Sequence, residues 1–203
     1  MLSRRRWSPR PARGVTLIEM LIAFALLGLL VKLSMPSFTT WISNAQVRTV
    51  AESLQQGVRK AQGEALRLNR QVVLSFTNQT PALNATAMAG GRNWSVQTVD
   101  QFGAGDARFV EGGALADVVS DVSITSAGAP ITALCFNSMG RLVVNASPGP
   151  NNGSCAAANA AFTVDRPRAD RPLQVLVGVA GHVRMCDPNR PVLSATSPDG
   201  CPP

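Results

Sequence analysis

Apolar positions follow two different periods along this chain, and the period changes near residue 70. Residues 15–35 form an almost continuous apolar run, which as a helix would be about 31 Å long and would just span a hydrocarbon core. After Pro36, apolar residues recur every three or four positions, which predicts an amphipathic helix. Gly57 and Gly63 are expected to weaken this helix by up to about 1 kcal/mol each. Its apolar stripe consists of Val47, Val50, Leu54, Val58, Ala61, Ala65 and Leu68.

From Gln71 onward, apolar and polar residues alternate in short segments, as they do in β-strands. Trp94–Val99 alternates most clearly, with Trp94 and Val96 on one face. The predicted strands are Val72–Phe76, Trp94–Val99, Val118–Ile124, Ile131–Asn137, Arg141–Val144, Phe162–Val164 and Leu173–Val179. One long N-terminal helix followed by about seven short strands predicts an α+β fold, in which the helix packs on an antiparallel β-sheet head.

The positive charge of the chain is concentrated before the apolar run. The net charge is +7, yet residues 15–203 keep 14 of the 19 basic residues against all 12 acidic ones, a net charge of only +2. By the positive-inside rule, a basic N-terminus is expected to stay on the cytoplasmic side of a membrane. The charge is therefore interpreted as a topology signal. The arginines in residues 1–14 are Arg4, Arg5, Arg6, Arg10 and Arg13.

One acidic residue, Glu19, lies inside the apolar run. An acidic side chain at the centre of a bilayer costs about 2.5–3.5 kcal/mol, so such residues usually have a function. A cleavable secretory signal would need an uninterrupted apolar region followed by a small-residue cleavage site, and residues 34–37 are a poor one. An ordinary transmembrane anchor would leave Glu19 unexplained.

The segment Arg13-Gly14-Val15-Thr16-Leu17-Ile18-Glu19 resembles the class III signal of type IV pilins and pseudopilins. The resemblance implies that prepilin peptidase cleaves between Gly14 and Val15 and N-methylates Val15, which replaces the phenylalanine usual at this position. Glu19 then becomes the fifth residue of the mature chain, where the family has its glutamate. A carboxylate buried in lipid must find a partner, and the N-terminal ammonium of a neighbouring subunit would provide one. Glu19 is thus predicted to be an assembly residue.

Three further segments, residues 58–65, 91–94 and 135–141, are similar to the GspH/FimT group of minor pilins and pseudopilins. This resemblance implies a cytoplasmic leader (1–14) that is cleaved, a transmembrane assembly helix (15–36), the amphipathic half of the helix (37–70) and a periplasmic head (71–203). The implied function is a minor pilin of a type IV pilus, held in the inner membrane before assembly with other pilins. A GspH-type pseudopilin of a type II secretion system is the alternative.

The four cysteines are Cys135, Cys155, Cys186 and Cys201, and they form no C-x-x-C motif. Because His182 is the only histidine, a zinc site would need four thiolates at unsuitable spacings. Two disulfides in an oxidising compartment fit better, with free buried thiols as the alternative. Of the three possible connectivities, the sequential one is favoured, Cys135–Cys155 and Cys186–Cys201.

The sequence shows no catalytic motif, Gly-rich phosphate loop or metal-ligand spacing, so we predict a protein that is not an enzyme and needs no cofactor. Some members of the FimT group bind DNA through a Gly-Arg-x-Arg motif, and Gly181-His182-Val183-Arg184 resembles it. His182 replaces the first arginine and is mostly uncharged at neutral pH. Arg184 is therefore a candidate DNA contact with one expected guanidinium missing, and DNA binding is the weaker alternative.

Overall fold

The chain contains one long helix and eight strands within the residues that the computed structural model describes, which are 14–101, 103–115, 119, 121–192, 194 and 196–202. Helix α1 spans Leu17–Leu68, 52 residues. Thr16 caps its start, because the Thr16 hydroxyl oxygen accepts a hydrogen bond from the Glu19 backbone N–H at 3.3 Å. At its end Asn69 adopts a left-handed conformation (φ 50°), and the Arg70 N–H donates to the Ala65 carbonyl. These two features form a Schellman cap.

The chain divides into an N-terminal unit, Met1–Thr39, and a head unit, Thr40–Pro203. Of the N-terminal unit, the leader predicted for residues 1–14 lies outside the described residues except for Gly14. An 18-residue window within α1, near the N-terminus, has a mean hydropathy of 2.2 and none of it is buried. By length and composition this helix could cross a membrane.

The head unit contains two four-stranded sheets, and every strand pair in them is antiparallel. The strands are β1 (Val72–Thr77), β2 (Asn93–Thr98), β3 (Phe109–Gly113), β4 (Ser123–Ser126), β5 (Ala133–Phe136), β6 (Ala160–Asp165), β7 (Leu173–Val177) and β8 (Val183–Cys186). The first sheet has the order β3-β2-β1-β5 and the second has the order β4-β6-β7-β8. The predicted α+β class, with a long N-terminal helix and an antiparallel head, is confirmed.

The apolar stripe of α1 packs against both sheets in a single core. Six of its seven predicted members are buried, and Leu68 at the helix end is only partly buried. Phe76 of β1 and Phe162 of β6 join the two sheets, with ring centroids 4.9 Å apart. A smaller cluster around Val73, Ala133 and the Cys135–Cys155 disulfide covers the opposite face of the first sheet.

Five of the seven predicted strands are present with ends shifted by one or two residues, but two differ more. The Arg141–Val144 strand is wrong. This segment forms backbone hydrogen bonds with two different parts of the chain and so does not pair with one strand. The Leu142 N–H donates to the Val179 carbonyl, and the Val143 N–H donates to the Cys135 carbonyl. Residues 118 and 120 of the Val118–Ile124 strand lie outside the described residues, and β4 begins at Ser123. Strands β3 and β8 were not predicted.

Candidate assembly segment and head surface

The predicted cleavage site lies just before α1. Gly14, Val15 and Thr16 have no regular secondary structure, and the helix begins at Leu17. No described atom comes within 4 Å of the position that a Cβ of Gly14 would occupy. Packing within the described part of the chain therefore does not require a glycine here, which leaves recognition by another protein as a reason for it.

Glu19 occupies the third position of α1, where its carboxylate lies near the positive end of the helix dipole. Thr16 and Glu19 have the spacing of a capping box, and the Thr16 half of that motif is formed. The Glu19 side chain is exposed and forms no ion pair with any residue that the structure describes. The carboxylate thus lies at the exposed start of the helix.

The segment of residues 17–33, which contains Glu19, exposes large apolar side chains on every face of the helix. A helix that is apolar all round is stable only in lipid or among other apolar helices. Leu17 is 79% exposed and Phe24 is 64% exposed, so these side chains do not lie in the protein core that the structure describes. Other exposed members are Ile18, Met20, Leu21, Ile22, Leu26, Leu27, Leu29, Leu30, Val31 and Leu33.

Within the head unit, the loop between β6 and β7 is fastened to the start of the amphipathic part of α1. The Asn44 side-chain amide donates to an Asp170 carboxylate oxygen at 2.6 Å, and the Asn44 amide oxygen accepts from the backbone N–H groups of Asp170 and Arg171 at 3.1 and 3.2 Å. The Arg166 guanidinium donates to Gln46 and to the buried Ser43 hydroxyl. These contacts join residues more than a hundred positions apart in the sequence.

Arg184, the candidate DNA contact, lies on β8 and donates a hydrogen bond to the Pro198 carbonyl at 3.0 Å. His182 is exposed, and its ring lies against Gly178, where an added Cβ would meet the imidazole at 1.8 Å. The Cys186–Cys201 disulfide also holds the tail beside this strand. Arg184 therefore has a structural contact with the tail, and its role toward DNA stays a prediction.

Both disulfides of the structure follow the sequential pairing. Cys135 and Cys155 are 20 residues apart in sequence and both are buried, whereas Cys186 and Cys201 are 15 residues apart and close the C-terminal tail. Within the described ranges, no group of three or more His, Cys, Asp or Glu side chains could hold a metal ion. The cysteines thus have a cross-linking role.

An ion pair that sequence reasoning missed fixes the loop after β2. The Arg70 guanidinium, just past the helix end, donates to both carboxylate oxygens of Asp106 at 2.8 and 2.9 Å. The hydrogen bonds from Arg70 hold the pKa of Asp106 well below its ordinary value, and the backbone N–H of Gln101 adds to this effect. No local motif signals this pair, because its partners are 36 positions apart.

Solved structures with a similar fold come from three bacterial proteins. The type IV minor pilin FimU of Pseudomonas aeruginosa is 15% identical, with a TM-score of 0.49 over 77% of this chain and 96% of FimU. The minor pseudopilin EpsH of the Vibrio cholerae type 2 secretion system is 12% identical, with a TM-score of 0.47 over 71% of this chain and 99% of EpsH. Escherichia coli GspH is 10% identical, with a TM-score of 0.44 over 73% and 94%. A comparison with curated protein sequences finds no significant match.

Two family matches cover most of the chain. Residues 9–31 match the prokaryotic N-terminal methylation motif, a range that includes Gly14, Val15 and Glu19. Residues 50–181 match the family described as type II transport protein GspH, and this range runs from the amphipathic part of α1 to the end of the β7–β8 turn. The resemblance to pilin-like minor pilins and pseudopilins is confirmed. The chain belongs to the GspH family.

Proposed function

We propose that this protein is a minor pilin of a type IV pilus. It is inserted in the inner membrane as a prepilin, with its N-terminus in the cytoplasm and its head in the periplasm, and is then assembled with other pilins. The observation that carries the proposal is Glu19, a carboxylate with no ion pair among the described residues, which lies at the start of an exposed apolar helix and inside a match to the methylation motif.

Processing by prepilin peptidase would prepare this helix for assembly. Hydrolysis of the Gly14–Val15 peptide bond creates a new ammonium group on Val15, which the same enzyme then methylates. Glu19 lies four residues further on, one helical turn into the chain. In lipid, a carboxylate and an ammonium from adjacent subunits stabilise each other because neither finds water, and their pairing fixes the axial register between subunits.

The exposed apolar side chains after Glu19 serve two successive environments in this proposal. Before assembly they contact lipid, and after assembly they pack against the equivalent helices of other pilins. An apolar side chain that moves from lipid to the surface of another apolar helix gains little hydrophobic free energy. Close packing and polar contacts must therefore determine how the helices of neighbouring subunits align. This is a reason for one acidic residue to remain in a segment otherwise suited to a membrane.

Processing is tested by replacing Gly14 with alanine and following the size of the chain in membranes on gels. We expect the variant to accumulate at the size of the precursor, while wild-type protein shifts to the shorter mature form. The control is Gly28→Ala, a glycine within α1 that also has open space around it. Maturation of the Gly14 variant at the wild-type rate would contradict the proposal.

A pseudopilin of a type II secretion system is the second candidate, and the description of the matched family favours it. The C-terminal tail, which the Cys186–Cys201 disulfide closes, resembles minor pilins of type IV pili more than the secretion-system pseudopilin, and this resemblance favours the pilus assignment. Deletion of the gene separates the two. Loss of surface pili with normal export of secreted proteins supports the minor pilin, whereas normal pili with blocked export supports the pseudopilin.

A further inference from the structure

We propose that the loop between β6 and β7 binds anionic phospholipid headgroups at the membrane surface through Arg168 and Arg171. The loop comprises residues 166–171 and is called the arginine loop below. The inference rests on the proposed function, because it applies to the subunit while its apolar helix is anchored in a bilayer. It adds a contact between the head and the lipid that the helix anchor alone does not imply.

The arginine loop is held at the place on α1 where the apolar segment ends. Asn44 accepts hydrogen bonds from the Asp170 and Arg171 backbone, and Ser43 accepts one from the Arg166 guanidinium. Immediately before these residues come two exposed apolar side chains of the head unit, Trp41 (69% exposed) and Ile42 (47% exposed). The loop is therefore fastened within one helical turn of a tryptophan suited to a membrane interface.

The number of residues between the predicted cleavage site and Trp41 is comparable with the thickness of a bilayer. From Val15 to Ile42 there are 28 residues, and a continuous helix of that length would extend about 42 Å. A bilayer is about 30 Å thick across its hydrocarbon core and about 40–45 Å thick including the headgroup regions. By this count of residues alone, a chain that enters the bilayer at Val15 and continues as a helix has enough length to bring Trp41 and Ile42 to the periplasmic headgroups.

The charges of the loop favour an anionic partner. Arg168 and Arg171 are exposed, and neither forms an ion pair with a described carboxylate. The nearby acids are engaged elsewhere: the Asp170 carboxylate accepts from Asn44, Asp165 accepts from the Arg166 N–H, and Asp121 pairs with Arg166. Arg48, the nearest cation on α1, pairs with Glu52. Two guanidiniums thus remain available for phosphate oxygens, which they bind with good geometry.

The test uses the full chain in nanodiscs of phosphatidylcholine alone, or of phosphatidylcholine and phosphatidylglycerol in equal parts. Hydrogen–deuterium exchange reports on the backbone amides of Asp170 and Arg171, because both are bonded to Asn44 only while the loop is closed onto α1. A ligand that binds the closed loop slows their exchange. Each arginine near an anionic surface is expected to slow exchange by about fivefold, and the two together by about twenty-five-fold.

We expect slower exchange in the anionic nanodiscs, and loss of that difference at high salt or in the Arg168→Gln/Arg171→Gln variant. The matched control is Arg141→Gln, an exposed arginine elsewhere on the head, which should keep the difference. Equal exchange in the two lipids overturns the inference, as does an equal loss in the control variant. Protection that needs assembled filaments rather than anionic lipid also overturns it and assigns the loop to a subunit contact.

Exchange in residues 17–33 distinguishes a failure of this inference from a failure of the proposed function. These amides should be protected in both kinds of nanodisc, because a membrane-spanning helix is bonded internally and shielded from water. Protection there, with no lipid dependence in the arginine loop, removes only the lipid contact. Without protection there, the chain is not anchored, and both proposals are contradicted.

Discussion

Replacing Gly57 with alanine should destabilise the head, although alanine is the better helix former. Gly57 is buried in the middle of α1, and an added Cβ would lie 2.9 Å from two ring carbons of Trp94. Gly113 also lies close to this ring, because a Cβ on Gly113 would approach the Trp94 Nε1 at 2.4 Å, so the ring has little room to move. The Trp94 N–H also donates to the Ser53 hydroxyl at 3.2 Å.

Two opposing effects set the magnitude. Removing a glycine from a helix interior gains up to about 1 kcal/mol of stability, whereas forcing an extra methyl into a packed core costs about 1–3 kcal/mol. Because the Trp94 ring is buried and lies close to both Gly57 and Gly113, we expect the upper part of that cost and a net loss of about 1–2 kcal/mol. Gly63 provides the matched control, since no described atom lies within 4 Å of its Cβ position. Gly63→Ala should therefore gain up to about 1 kcal/mol.

The assay is urea denaturation of the full chain in detergent, followed by the near-ultraviolet circular dichroism of the buried Trp94. Unfolding free energies come from linear extrapolation, and an unchanged slope shows that the denatured state is the same in each variant. The predicted signs are opposite for Gly57→Ala and Gly63→Ala. If both variants are stabilised to the same degree, the close contact between Gly57 and Trp94 does not constrain the fold, and the reasoning is refuted.

Two further predictions concern the head. The pKa of Asp106 is held below its ordinary value of 3.8 by Arg70, so ionised Asp106 adds stability that fades as the pH falls below about 4. Asp106→Asn should flatten the acid side of a plot of urea midpoint against pH, and an unchanged plot would argue against the pair. Replacing Cys186 and Cys201 together with serine opens a loop that spans 15 positions and should lower the unfolding free energy by about 3 kcal/mol. Equal stability of the double variant in urea would show that the tail disulfide does not restrict the unfolded chain.

The helix and the fold class could be predicted because their signals are local. The apolar stripe of α1 repeats every three or four positions over about twenty residues, and six of its seven members are buried. The assembly segment is equally local, since Gly14, Val15 and Glu19 lie within six positions. Both predictions could be made without knowing which distant residues are in contact in the fold.

What could not be predicted depends on contacts between distant residues. In the sequence, Gly57 is only a residue that weakens the helix. In the fold, the Trp94 ring, 37 positions further on, packs so closely against Gly57 that no larger residue fits without a shift. The same holds for Asn44 and Asp170, which are 126 positions apart. No periodicity shows such pairs.

Strand errors have a related cause. Arg141–Val144 alternates like a strand, but its backbone divides its hydrogen bonds between Cys135 and Val179 and forms no ladder. Strands β3 and β8 have only five and four residues, and β3 ends in two glycines, so neither has a strong pattern. Short strands are determined by the neighbours they pair with, and those neighbours are visible only in the fold.

The central claim is that Glu19 pairs with a neighbouring subunit during assembly, and the most direct test is the amount of a Glu19→Val variant in sheared filaments. We expect it to insert and be cleaved like wild-type protein. Its incorporation should fall more than about a hundredfold, because removing one partner of a buried ion pair costs about 3–5 kcal/mol. Met20→Val, an exposed neighbour on the same helix, is the control and should assemble normally. Normal incorporation of the Glu19 variant would contradict the account.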